Sequence, residues 1–240
     1  MLGALTTVTA ASRAHLLFGA GIETDMGGGQ MMVTPSAWSP ALISVMWWVM
    51  MVAMMLPTAA PTVLLVTTLA WDRVPNPNLV PPAAMLFASG YLLVWCGFSL
   101  VATLLQWRLE NAGLLSETMA FGNGILASTV LVAAGLYQWT PLKDACLRHC
   151  RWPTEFLTRH WRPGSLGAVG MGVRHGLFCL GCCWLFITLL FVGGLMNLAW
   201  VGAIALFVLM EKTMPWGDWM SRLGGALLVV WGVANLAWVI

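Results

Sequence analysis

Charge in this chain is confined to short clusters, and the stretches between them are almost wholly apolar. Between Arg13 and Asp72 the only charges are Glu23 and Asp25. The runs 74–107, 118–142, 175–210 and 223–240 contain no Asp, Glu, Lys or Arg. About 20 apolar residues carry a helix across a hydrocarbon core of about 30 Å. The pattern therefore predicts an all-α fold, a polytopic transmembrane helical bundle. Six spans are expected, at about 41–70, 83–107, 119–139, 174–194, 198–212 and 221–240.

The run 175–210 needs dividing. Its 36 residues would extend about 54 Å as one helix, well beyond a single crossing. Gly193-Gly194 and Asn197 near its middle offer a tight turn, so the run reads as a hairpin of two spans. Residues 1–37, with Gly27-Gly28-Gly29, read as a flexible or interfacial N-terminal tail. Met1 to Ile22 lacks a basic leading region, and Arg13 and His15 interrupt its apolar run, so no cleavable signal is expected. Residues 38–240 then form one transmembrane domain, with 141–174 as its single long polar loop.

Composition agrees with a chain not built for water on every side. It is 60% hydrophobic and 8% charged, against roughly 25% charged in an ordinary soluble domain. Placement of charge says more than the net +2. With six spans and an outward N-terminus, Arg73, Lys143, Arg148, Arg151, Arg159, Arg162, Arg174, Lys212 and Arg222 fall on one side. Only Arg13 and Arg108 fall on the other. By the positive-inside rule the first side is cytoplasmic, which places the 141–174 loop in the cytoplasm and the tail and C-terminus on the other face.

The chemistry concentrates on that side. In M-G-V-R-H-G-L-F-C-L-G-C-C-W (171–184), His175, Cys179, Cys182 and Cys183 fall at roughly −40°, 0°, −60° and +40° on a helical wheel. One imidazole and three thiols share a stripe. In T-P-L-K-D-A-C-L-R-H-C-R-W-P (140–153), Thr140 suits an N-cap, Pro141 the first helical turn and Pro153 the stop. Cys146 and Cys150, four residues apart on that helix, share a face beside His149. Cysteine and histidine bind soft and borderline metals, and Glu211 at the end of the fifth span could join them. Cys96, alone in the second span, reads as packing.

A third element is methionine. Met46, Met50 and Met54 lie at roughly 0°, 40° and 80° on the first span, with Met51 and Met55 near 140° and 180°. Methionine fills core gaps, but its thioether also suits Cu(I). Pro57 and Pro61 share the first face and free the carbonyls of Ala53 and Pro57, which in lipid need a partner.

Together these stretches resemble a family of bacterial integral membrane proteins described as predicted metal-binding. The matching blocks are A-M-M-L-P-T-A-A-P (53–61), Y-Q-W-T-P-L-K-D-A-C-L-R-H-C-R-W-P (137–153) and G-L-F-C-L-G-C-C-W (176–184). G-G-L-M-N-L-A-W (193–200) and E-K-T-M-P (211–215) follow in order. The resemblance implies a multi-span protein whose Cys146, Cys150, Cys179, Cys182 and Cys183 are metal ligands, and it implies no reaction.

The leading expectation is a soft-metal protein, for Cu(I) with zinc as the other candidate, that binds, transfers or transports its ion. The ligand set would be Cys146, Cys150, Cys179, Cys182, Cys183, His149, His175, Met46, Met50, Met54 and Glu211. A metallochaperone or subunits of a larger membrane complex would be its partners beside the lipid bilayer. One alternative is a thiol–disulfide redox protein built on Cys179–Cys182, a C-x-x-C at a helix N-terminus where thiol pKa values fall. Another is a non-catalytic subunit or assembly factor, for which interfacial tryptophans such as Trp38, Trp71 and Trp152 would serve as anchors. No nucleotide-binding loop, Ser-His-Asp order or nucleic-acid module is visible.

Overall fold

The computed structural model describes residues 39–73 and 80–239; the tail expected over 1–37 lies outside them. The fold is an all-α bundle. In chain order its helices are α1 (Pro40–Arg73), α2 (Val80–Asn111), α3 (Gly124–Tyr137), α4 (Pro141–Arg151) and α5 (Pro153–His160). α6 (Ser165–Thr188), α7 (Leu190–Gly193), α8 (Leu198–Thr213) and α9 (Gly217–Val239) follow.

Four segments are long and apolar enough to cross a membrane: Pro40–Trp71, Pro82–Asn111, Ser165–Gly193 and Gly217–Trp238. The expected third and fifth spans are shorter. α3 has 14 residues and α8 has 16, or about 21 and 24 Å. α3 and α4 meet at a 66° bend and become a further crossing only if taken as one broken span. The short length of α3 is dictated locally. Asn123 caps it, accepting from the amides of Ile125 and Leu126, so residues 119–123 stay outside the helix.

The expected loop 141–174 is mostly helix. Thr140 does cap α4, accepting from Lys143 N with Pro141 in the first turn. Pro153 opens α5 where α4 ends. α6 begins at Ser165, nine residues before the expected start of its span, because nothing in S-L-G-A-V-G-M-G-V breaks a helix once Gly164 (φ 83°) has turned the chain. The hairpin falls where the glycines and Asn197 placed it. Gly194 turns at φ 86°, and the Asn197 side chain accepts from Trp200 N to start α8.

Packing is organised around α6, which lies against α2 and carries α4 across its face, while α1 packs on α2 and α3 on α9. The α2–α6 approach is backbone to backbone. A Cβ on Gly172 would lie 2.0 Å from the Phe87 carbonyl oxygen, so the seam requires a residue without one. Trp47, Tyr91 and Trp95 fill the centre with no exposed surface. The bundle has two ends. At one, Phe121 N donates to Phe191 O (2.7 Å) and joins the loop after α2 to α7. At the other, Arg151 pairs with Asp218 (2.5 Å) and donates to the Met214 and Pro215 carbonyls.

Two of the nine basic residues counted toward orientation are not loop charges. Lys143 is fully buried and Lys212 is 6% exposed, both inside the bundle near the second end. The same count without them leaves seven against two.

Candidate metal centre

The four residues that the helical wheel grouped on α6 all point inward. His175, Cys179, Cys182 and Cys183 are each no more than 2% exposed. α4 crosses α6 at this level and brings the other two thiols to it. Cys150 Sγ lies 4.0 Å from Cys182 Sγ. Cys146 is buried against Gly181, where a Cβ would stand 2.8 Å from its sulfur. Glycine at 181 therefore sets how closely the α4 thiol can approach α6. Four thiols from α6 and α4 belong to one buried cluster, with Cys150 packed at its edge.

Within α6 the sulfurs are parked on the helix itself. Cys182 and Cys183 both donate to the Cys179 carbonyl, at 3.0 and 2.9 Å. Cys179 Sγ has partners on other helices. Tyr91 Oη on α2 lies 3.1 Å from it, and the Lys212 ammonium on α8 donates to it at 2.9 Å and stands 4.0 Å from Cys183 Sγ. Tyr91 Oη also donates to the Met55 carbonyl at 3.0 Å, tying α1 to the same point. On α4, which lies outside the four long apolar segments, donation to the Cys179 and Cys182 sulfurs holds the Cys150 thiol well above its ordinary range. Burial pushes Cys146 up.

The remaining expected residues divide. Met50 and Met54 are buried and Met46 is half-buried in the same core cluster as the cysteines. Met51 and Met55, on the face set apart by the wheel, are equally buried, and Met55 carries the link to Tyr91. The Met55 carbonyl also accepts from Thr58 Oγ1 at 2.8 Å; it is not one of the two carbonyls that Pro57 and Pro61 free. His175 sits among the Phe87, Tyr91 and Phe156 rings, with its Nδ1 unpartnered among the described residues. His149 turns outward. It stacks on Phe178 at 4.1 Å, bonds through Nδ1 to the Ala145 carbonyl, and lines a cleft with His160, Arg148 and Arg159.

Glu211 does not face the sulfurs through a contact of its own. Its carboxylate pairs with Lys143 at 2.6 Å, both fully enclosed. The Lys143 ammonium also bonds Gln138 Oε1, which accepts from Ser221 Oγ at 2.9 Å, and lies 4.9 Å from the Phe186 ring centre. Lys143, Lys212 and Tyr91 are the polar groups that sequence reasoning passed over. In the sequence both lysines count only toward orientation, as charges on the cytoplasmic side. For the tyrosines a signal existed. The chain has only two, and both end on the cysteine segment: Tyr91 at Cys179, and Tyr137 donating to the Gly181 carbonyl at 2.5 Å.

The donor set fits a soft ion. A metal–sulfur bond of about 2.3 Å places two thiolates about 4.0 Å apart around a three-coordinate ion, since the separation is the bond length times √3. The Cys150–Cys182 spacing of 4.0 Å is that distance. No group of three or more His, Cys, Asp or Glu side chains is already arranged around one point among the described residues. Of the other α6 sulfurs, Cys183 is bonded to the Cys179 carbonyl, and Cys179 lies against Lys212 and Tyr91. One expectation of the redox alternative, a C-x-x-C at a helix N-terminus, is corrected here. Cys179 is the fifteenth residue of α6, about 21 Å from the helix start, so no N-terminal dipole acts on the C-x-x-C.

Fold and site together define an all-α bundle whose core holds thiols beside a buried ammonium, with four segments able to span a membrane. Over residues 44–235 the chain matches the model of a family described as PpoB2, copper chaperone, and it belongs to that family. Neither a curated protein nor a solved structure matches it.

Proposed function

We propose that the protein binds Cu(I) at the α4–α6 thiol cluster within the bacterial inner membrane and passes it to, or receives it from, another copper-handling protein. The observation that carries this reading is the 4.0 Å separation of the Cys150 and Cys182 sulfurs, contributed by two helices that the sequence separates by 32 positions. The copper chaperone family gives the ion, and thiolates favour Cu(I) among the soft metals. Membrane placement is supported by outward-facing apolar rows such as Leu93, Leu100, Val101 and Leu104 on α2, each more than half exposed.

Cys150 and Cys182 form the entry pair. Cys179 or Cys183 completes the set as its side chain rotates off its present partner, a motion confined to one rotamer. Cys146, held by Gly181, lies within the same cluster as the fifth sulfur. Met50 and Met54 give the ion neutral sulfur on the α1 side, and His175 offers its free Nδ1. His149, next to Cys150 in the chain, lines the cleft with His160, Arg148 and Arg159 and would be a ligand only at its edge. Glu211 serves the fold as the partner of Lys143.

The test is titration of the detergent-purified, reduced protein with Cu(I) against a coloured Cu(I) chelator. The wild type should hold one ion, and the variant with serine at 146, 150, 179, 182 and 183 should hold none. Equal retention by both would remove the thiol cluster as the copper site.

A further inference from the structure

Among the described residues, the buried charges near the thiols do not balance through carboxylates. Glu211 is taken by Lys143 at 2.6 Å, leaving its neighbour Lys212 to the sulfurs. Lys212 is 6% exposed, and its ammonium meets Cys179 Sγ at 2.9 Å and Cys183 Sγ at 4.0 Å. An enclosed ammonium is costly unless an anion accompanies it, and sulfur is the anion this geometry supplies. The cation is fixed in place from outside the cluster, by α8.

We infer that Lys212 is the specificity-determining residue of the thiol cluster, selecting by ionic charge so that a monovalent soft ion is taken in preference to a divalent one. This rests on the copper reading above. Softness alone separates Cu(I) from Zn(II) poorly, because thiolates bind both. Charge separates them on the same sulfurs. The ammonium attracts the thiolates equally whichever ion they hold, so that part cancels from the ratio of affinities. Its repulsion of the ion does not cancel, and it doubles for Zn(II).

At an effective dielectric constant of about 20 and a separation of about 4 Å, one additional unit of like charge corresponds to roughly 10³-fold in affinity. A site without Lys212 would give up that discrimination. Lys212 acts here through the field it sets and is not itself a ligand to the ion.

The test compares wild type, Lys212→Met and Lys212→Arg, purified in mild detergent under reducing conditions. Cu(I) affinity is read against a Cu(I) chelator and Zn(II) affinity against a zinc indicator. Loss of the charge in Lys212→Met should lower the Cu(I)-to-Zn(II) affinity ratio by 100-fold or more, and Lys212→Arg should restore it in part or whole. A purely structural role would weaken both ions together and leave the ratio unchanged, and that result overturns the proposal. If Lys212→Met does not yield folded protein, Lys212→Gln, which keeps donors toward sulfur but no charge, makes the same comparison with the same expected fall. Wild type that binds Cu(I) with a ratio insensitive to charge at 212 sinks this inference alone. Wild type that binds neither ion sinks the copper reading with it.

Discussion

At the scale of single residues, the site is tuned by groups with no affinity for metal. Gly181 sets the depth of Cys146, and the hypothetical Cβ at 2.8 Å from sulfur gives the cost of changing it. Gly181→Ala should push α4 outward, with a loss of about 1–3 kcal/mol seen as a lower Tm in detergent, and weaker Cu(I) retention. Tyr91 joins Cys179 on α6 to Met55 on α1 through one hydroxyl. Tyr91→Phe leaves that carbonyl one donor short and should cost about 1 kcal/mol of stability, measured by the same thermal scan. An unchanged Tm would mean that Thr58, already bonded to that carbonyl, satisfies it alone. The inward stripe of His175, Cys179, Cys182 and Cys183 was legible in the sequence because helical periodicity alone fixes which residues share a face. Lys212 was not, because a lysine ending an apolar run looks the same whether it meets solvent or sulfur.

At the scale of helices, the seam between α2 and α6 positions Tyr91 against Cys179, and its closeness depends on Gly172. Gly172→Leu should force the pair apart. The expected result is loss of monodisperse protein in size-exclusion chromatography, with a penalty above the usual 1–3 kcal/mol of overpacking, since backbone is what the side chain meets. The long spans were legible because length and apolarity are local properties, and so was the α6–α8 hairpin, whose glycines and Asn197 act within a few residues. The early start of α6 was hidden. Charged Arg174 lies within the helix, and a rule that ends spans at charges cuts it there. That cut produced the mistaken N-terminal position for Cys179. The pairing of α4 with α6 follows from packing across 32 positions of chain, which no local pattern encodes.

At the scale of the molecule, a second buried pair braces the site. Lys143 and Glu211 hold α4 to α8, and through Gln138 and Ser221 they reach α3 and α9. Removing one partner strands a charge. Glu211→Gln should therefore cost about 3–5 kcal/mol, while Lys143→Met with Glu211→Leu should be near neutral. Chemical denaturation of the single and double variants checks this, and a double variant as weak as the single would show that the charges themselves are needed. Proton release gives a further handle. Cys146 and Cys150 keep their protons above the usual thiol range, and metal binding must expel them. Raised values mean protonated thiols at pH 7, so Cu(I) affinity should climb between pH 7 and 9, about tenfold per unit for each proton released. Chelator competition across that range measures the slope.

The uneven burial of the thiols gives the cluster a front and a back. Cys150 is half-buried, whereas Cys179, Cys182 and Cys183 are sealed within the bundle. A small alkylating reagent arriving from water would meet Cys150 first and, once attached, would cork the passage for whatever followed. The same asymmetry makes Cys150 the one sulfur of this cluster that a partner protein could reach without the bundle opening.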